Sequence, residues 1–470
     1  MSVHSAVAVP TALAAPAAPA TAPAACDAPL PVLGDEVRVP LAGGGEALYA
    51  ALDYAASAPA LRRVWDEVAA YAPYYGSVHR GAGHLSQLST ELFESSRATV
   101  AGFLGCREDD QVVFTRSTTD SLNLLAAVLP PRTRVFVFET EHHAALLPWE
   151  RRADTEVVYL DAPRSPGEAV GRLEAALATR AAGAPALVCV TGASNVTGEV
   201  WPVRQLAAAA HRHGARIVLD AAQLAPHRPV DLAAWDVDWV AFSGHKLYAP
   251  FGTGVLAGRA DWLRSAEPYL AGGGASRSVA RRAGGGVSVE WHTTAARHEA
   301  GSPNVIGAYA VAAACKALTE AGFEALVARE ARLLARLRGG LAAIEGVRVL
   351  SLFGEDSDRV GVLSLTVEGW DSSALARALS AEYGIGVRDG LFCAHPLVRT
   401  LLDAPGDEPA DCEAPPAPPA DTADTVDTDT AADPAGRPLH ALRVSFGAGT
   451  PDEHVERFLT AVGELVARVR

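Results

Sequence analysis

Seven short apolar runs lie between residues 112 and 258, at 112–115, 134–138, 156–160, 186–190, 216–220, 239–244 and 254–258. Each is rich in Val, Leu, Ile, Phe or Ala and too short for a helix, which suits strands buried on both faces. Longer Ala-, Leu- and Arg-rich stretches of helical period separate most of them; 203–213 is an example, and a helix is expected to open at Thr118. This βαβα rhythm predicts a mainly parallel sheet of seven strands covered on both sides. The last two runs stand too close together for a crossover helix. No internal repeat is present.

After residue 305 the pattern changes. A helical stretch over 305–344, broken near Gly322, leads into strands near 347–350 and 360–367, then a helix and a short strand at 385–388. A strand at 439–446 and a closing helix from Pro451 complete a smaller α+β domain. Residues 403–437 interrupt it. This stretch holds ten acidic residues from Asp403 to Asp433, no basic residue in that span and few large apolar groups, so it predicts a disordered loop. The N-terminal residues are Ala/Pro/Thr-rich, and the first 30 carry no Lys or Arg. They lack the positive region and proline-poor core of a secretory leader, and a disordered extension is expected. The organisation predicted is an extension over 1–46, a large domain over 47–304 and a small domain over 305–470, with the start of the large domain packing on the small one.

Composition narrows the class. At roughly 150 residues per domain, 470 residues allow two or three domains. A net charge of −15 argues against nucleic acid as a partner. Most of that charge is local, because outside the acidic stretch 45 acids face 40 bases. The six cysteines are scattered without a CxxC, which argues against zinc knuckles, redox pairs and a disulfide framework, and no metal site is expected. No apolar run reaches the ~18 residues of a membrane span. A cytoplasmic protein without membrane contact is expected.

Two of the 40 basic residues are lysines, Lys246 and Lys316, and the rest are arginines. Arginine supplies charge but not a deprotonated amine, so a retained lysine invites a chemical explanation. Lys246 follows a predicted strand in SGHKLYAP, beside His245 and between glycines. Asp220 ends another strand in VLDAAQ and points to the crevice where such sheets bind ligands. An amine and a carboxylate at these strand ends suit pyridoxal phosphate: the amine forms a Schiff base and the carboxylate keeps the pyridine nitrogen protonated.

Nine segments then carry a family resemblance: LDYAASAP (52–59), VHRGAGHLS (78–86), TRSTTDSLNLL (115–125), EHHAALLPW (141–149), SNVTGE (194–199), DAAQLAPHRPVD (220–231), SGHKLYAPFGTG (243–254), EAGSPN (299–304) and VRDGLFCAHPL (387–397). In these the chain resembles the class V, fold-type I pyridoxal-phosphate enzymes, and among them the SufS-type cysteine desulfurases and selenocysteine lyases. The resemblance implies an α/β fold with a large cofactor-binding domain and a smaller C-terminal one. It implies that Lys246 binds the cofactor aldehyde, Asp220 the ring nitrogen and Gln223 the ring hydroxyl. His142 would stack on the ring and shuttle protons as a catalytic residue, and Asn195 would lie near the substrate and that hydroxyl. Thr118, Thr119, Ser243 and His245 would bind the phosphate; Thr118 and Thr119 also fall at a predicted helix start, which favours an anion independently. Ser302 would complete the phosphate site of a second subunit, so a homodimer is implied, and His79 would border the substrate.

Cys393 lies in a loop after glycine, near Arg388 and His395, where basic surroundings favour a thiolate. The resemblance makes it the nucleophile that takes sulfur (or selenium) from L-cysteine (or L-selenocysteine), leaving a persulfide and alanine. Arg443 and Arg388 would meet the substrate, Arg443 as the planar clamp on its α-carboxylate. A sulfur-acceptor protein would collect the persulfide by thiol exchange. The chain departs from the pattern at Leu391 and Phe392, where desulfurases carry polar residues, and after Arg443, where VSFGAGTPDE lacks an asparagine. Aminotransferases, epimerases and C–S lyases share the fold, and the fold alone does not separate them.

Overall fold

The structure is a computed structural model and describes residues 28–181, 183–403 and 438–469. The acidic stretch beyond Asp403 lies outside the described residues, as do residues 1–27.

All seven predicted strands join one sheet, in the spatial order Asp110–Thr115, Gly254–Arg259, Trp239–Ser243, Arg216–Asp220, Ala186–Thr191, Arg134–Phe138, Glu156–Leu160. Only Gly254–Arg259 runs antiparallel to its neighbours. Residues 244–253 are too few for a helical crossover, so the chain must turn back beside the strand it has just left. Alternate side chains fill the two faces. Phe136, Phe138, Val188, Val190, Ile217 and Leu219 enter one buried layer, and Val135, Val137, Leu187, Cys189 and Val218 the other. Each large aliphatic or aromatic group so buried contributes about 1.5–3 kcal/mol. Asp220 and Ser243 end their strands at the carboxyl edge, and the antiparallel strand begins at that edge with Gly254.

Gly322, at φ +81°, separates Val305–Ala321 from Phe323–Ala342 at the expected break. The first of these helices is alanine-rich and packs against Arg62–Tyr71 and His84–Phe103. Its buried face joins the core of the large domain. The helix that follows the expected boundary at residue 304 thus packs with helices of the large domain.

The small domain is an antiparallel sheet in the order Val347–Val349, Val362–Val367, Ala441–Ser445, Arg388–Gly390. Leu333, Leu337, Leu375, Phe458 and Val462 from Phe323–Ala342, Ser372–Tyr383 and Asp452–Val469 cover it. The strand expected at 385–388 is two: Ile385–Gly386 pairs in parallel with Ala50–Ala51, and Arg388–Gly390 pairs with Ala441–Ser445. Ala50 and Leu52 enter the core of this domain although they precede the large one.

The extension expected over 1–46 is folded from residue 28 onward. Apolar residues return there: Val32 is buried and bridges to Leu61, and Arg38–Pro40 pairs with Glu46–Leu48 around Gly44 and Gly45, both at positive φ. A polar, exposed hairpin, Ser276–Arg281 with Val287–Trp291, went unpredicted because it carries no buried stripe.

Candidate active site

Twelve of the fourteen residues singled out from the sequence line one cavity of about 240 Å³ at the carboxyl edge of the sheet. They are Thr118, Thr119, His142, Asn195, Asp220, Gln223, Ser243, His245, Lys246, Arg388, Cys393 and Arg443.

Lys246 is presented by the tight turn after Trp239–Ser243. The Gly244 N–H donates to Thr253 O at 2.7 Å, and a Cβ on Gly244 would lie 2.7 Å from Val311. Only glycine allows this approach. Loss of bulk water lowers the Lys246 pKa to about 8; Asp220 opposes that shift and Arg443 adds to it. Its amine is therefore partly neutral near physiological pH. Asp220 is buried, and burial raises its pKa against the Ala222 N–H, which donates to Oδ1 at 2.9 Å, and against the charge of Lys246. Gln223 Nε2 donates to Ala55 O at 2.7 Å, which fixes the amide at the cavity wall.

A second cluster surrounds the start of Thr118–Ala127, a ten-residue helix capped by Ser117 Oγ. The Thr118 N–H donates to Ser243 Oγ at 2.7 Å, and Thr118 Oγ1 is also 2.7 Å from it. A Cβ on Gly254 would lie 2.4 Å from the Ser117 carbonyl carbon, so the antiparallel strand presses this loop into the cavity. The helix start, the hydroxyls of Thr118, Thr119 and Ser243, and His245 form a cradle suited to a phosphate.

His142 caps the short helix His143–Leu146. Its Nδ1 accepts the Ala144 N–H at 3.0 Å, so the neutral ring carries its proton on Nε2. Burial first, then Lys246, lower its pKa to about 3, and the ring stays neutral. Beside it Glu141 is buried. The Thr191 N–H donates to its Oε1 at 2.9 Å while Oε2 has no partner, and burial pushes its pKa well up.

The opposite wall comes from the small domain. Arg443 is buried, donates from Nη2 to Asp53 Oδ1 at 2.8 Å and from Nη1 to Asn195 O at 3.1 Å, and leaves Nε unpaired. Arg388 stands opposite Arg443 across two paired strands. Cys393 is a free, half-buried thiol; the His143 N–H donates to its carbonyl at 2.8 Å. The Asn195 amide donates to Phe392 O at 2.8 Å.

Two expected residues lie elsewhere in this chain. His79 is exposed and pairs through Nε2 with Glu94 at 3.0 Å. Ser302 is exposed in a loop anchored by Glu299, which takes both Arg97 Nη atoms at 2.8 and 2.9 Å and the Phe114 N–H at 2.7 Å. Asp53 and the lining ring of Phe392 were not singled out as site residues. Asp53 lies within LDYAASAP, but a lone aspartate carries no spacing that announces a partner 390 residues away.

Comparisons with known proteins agree with one another. Residues 50–458 match the family model described as Aminotransferase class-V. A probable cysteine desulfurase of Halobacterium salinarum is 36% identical over 384 residues, 80% of this chain and 88% of that protein. A cysteine desulfurase of Pectobacterium atrosepticum is 35% identical over 380 residues, 79% and 88% of the two chains. Among solved structures, the cysteine desulfurase of Thermococcus onnurineus superposes with a TM-score of 0.74 at 29% identity, covering 89% of this chain and 95% of that one. Escherichia coli cysteine desulfurase superposes at 0.72 and 28% identity, covering 90% and 95%.

Proposed function

The chain belongs to the class-V aminotransferase family, and within it we propose a pyridoxal-phosphate-dependent cysteine desulfurase that removes sulfur from L-cysteine (or selenium from L-selenocysteine) and releases alanine. One observation carries this reading: the amine of Lys246, the thiol of Cys393 and the guanidinium of Arg443 all line one cavity. An aminotransferase or epimerase needs the first and the third but has no use for the thiol.

The donor set fits the cofactor. Lys246 offers an amine that is partly neutral near physiological pH. Asp220 is a buried carboxylate with Oδ2 left to meet a protonated ring nitrogen, which would offset its desolvation. Thr118, Thr119, Ser243 and His245 would hold the phosphate, Gln223 the ring hydroxyl and His142 the ring face. When bound, pyridoxal phosphate supplies an electron sink for charge that develops at the substrate Cα.

The protein's own groups supply the rest. Arg443 binds the substrate carboxylate and orients Cα toward Lys246, whose neutral amine takes the Cα proton. The Cys393 thiolate attacks the substrate sulfur. An S–S bond forms and the Cβ–S bond breaks; the electron pair left at Cβ is protonated and the Lys246 ammonium returns the proton to Cα, giving alanine and a Cys393 persulfide. A second thiol then removes the outer sulfur and returns Cys393 as thiolate. A reducing, cytoplasmic setting suits this cycle, with a sulfur-acceptor protein as partner. Ser302 and His79, exposed and away from this cavity, would serve a second subunit in a homodimer.

The test uses cofactor-loaded enzyme, L-cysteine and excess dithiothreitol, which reduces the persulfide to sulfide and is itself oxidised to its disulfide. Sulfide and alanine are expected in equal amounts, and Cys393→Ala is expected to lose sulfide release while keeping the visible absorbance of the bound cofactor. Undiminished release by Cys393→Ala would refute the mechanism.

A further inference from the structure

The loop that carries Cys393 is held in an unfavourable shape. Between Arg388–Gly390 and His395–Leu402 the chain makes a turn closed by the Ala394 N–H on Leu391 O at 2.9 Å. Phe392 and Cys393 sit in it with φ of 53° and 52°. Consecutive left-handed residues other than glycine persist only where their surroundings hold them, and for a bulky phenylalanine the conformation is an outlier. The His143 N–H grips the Cys393 carbonyl and the Asn195 amide grips the Phe392 carbonyl, each at 2.8 Å. The Phe392 ring, 5% exposed, lies under the Arg443 guanidinium with Cζ 5.0 Å from its centroid.

These contacts form a closed circuit. Asn195 holds Phe392 with its side chain and Arg443 with its carbonyl, while Phe392 meets Arg443 directly. The ring covers one face of the guanidinium, so a carboxylate must approach Arg443 in its plane. The next residue after that ring is the thiol.

Resting on the desulfurase reading, we infer that Phe392 is a positioning residue that couples the Arg443 carboxylate clamp to the Cys393 nucleophile, so that substrate orientation and thiol placement are set together. It acts through its neighbours and takes no part in bond making. A cation above an aromatic face in a desolvated site is strong enough for its loss to be felt about tenfold in binding.

The experiment compares wild type with Phe392→Leu, which keeps apolar bulk but removes the aromatic face, and Phe392→Tyr, which restores it. All three are cofactor-loaded. Three readouts are taken: kcat and KM for sulfur release from L-cysteine, binding of L-alanine followed by cofactor absorbance, and the rate of Cys393 alkylation by iodoacetamide. Phe392→Leu is expected to raise KM and weaken L-alanine binding about tenfold, and to alkylate faster. Phe392→Tyr is expected to stay within about twofold of wild type on all three, a rescue that general destabilisation does not produce. If Phe392→Leu matches wild type in L-alanine binding and alkylation, the coupling is refuted while the desulfurase reading stands. If wild type itself releases no sulfur, the desulfurase reading fails and this inference with it. If Phe392→Leu does not fold, Phe392→Tyr decides: tenfold weaker L-alanine binding in that variant overturns the role of the aromatic face.

Discussion

Asp53 and Arg443 lie 390 residues apart in the chain and 2.8 Å apart in the fold. The pair joins the segment that follows Ala50–Ala51 to the strand Ala441–Ser445, at the wall of the active-site cavity. The guanidinium is buried, and burial disfavours its charge more than Asp53 restores it.

Asp53→Ala removes the only anionic partner of Arg443 among the described residues. A hydrogen bond to a charged group is worth about 1.5–3 kcal/mol, so a loss of about 2 kcal/mol in stability is expected by urea denaturation. KM for the amino-acid substrate should rise about tenfold as the clamp loses its orientation, with a smaller change in kcat. Asp53→Asn keeps an acceptor and should fall between the two. An unchanged KM in Asp53→Ala would show that Asp53 does not orient the clamp.

His142 makes stability depend on acid. Unfolded, it binds a proton near 6.5; folded, not until about 3. Between those values the unfolded chain holds more protons, so stability falls as pH falls. The effect of this one residue should approach about 4 kcal/mol at the low end. His142→Phe should flatten the stability profile over that window, measured by denaturation at fixed pH values on cofactor-free protein. A profile as steep as wild type would contradict a ring buried in its neutral form.

Glu199 and Arg359 form a buried ion pair between the domains, with side chains 0% and 1% exposed. The carboxylate also accepts the Leu352 and Phe353 N–H groups and the Ser351 and Ser357 hydroxyls. Arg359→Ala leaves that carboxylate without its cation and should cost about 3–5 kcal/mol. Next to it Gly198 sits at φ +72°, where a Cβ would lie 2.2 Å from Val362 O. Gly198→Ala should therefore loosen the same junction without touching a charge. Limited proteolysis of the 351–359 loop is expected to speed up in both variants.

Lys246→Ala is expected to abolish covalent capture of the cofactor, read as loss of its visible band and of borohydride-fixed label. The apo variant should be more stable than wild type below about pH 8, because an amine that resists charging in the fold is gone. Equal stability of the two apo proteins at pH 7 would count against a desolvated amine.

Much of this was legible in the sequence for physical reasons. The sheet announced itself because strands buried on both faces leave compact apolar runs. Lys246 stood out because lysine is otherwise almost absent, and Asp220 because it ends such a run. Other features left no trace. The Asp53–Arg443 and Glu199–Arg359 pairs depend on segments that meet only in three dimensions. The ring of Phe392 reads as a core residue until the guanidinium above it is seen. The helix Val305–Ala321 reads as the start of a new domain because its all-round apolar surface does not say which core it joins.

The split origin of the small-domain core has a consequence for biosynthesis. Ala50 and Leu52 emerge from the ribosome nearly 400 residues before their partners around Leu442, Val444 and Phe458. The central sheet can form first, because domains fold as they appear. Arg443 is the last of the site residues to be made. A nascent chain can therefore hold its amine, its cradle and even its thiol before it can grip an amino acid, so turnover waits for translation to reach the final strand.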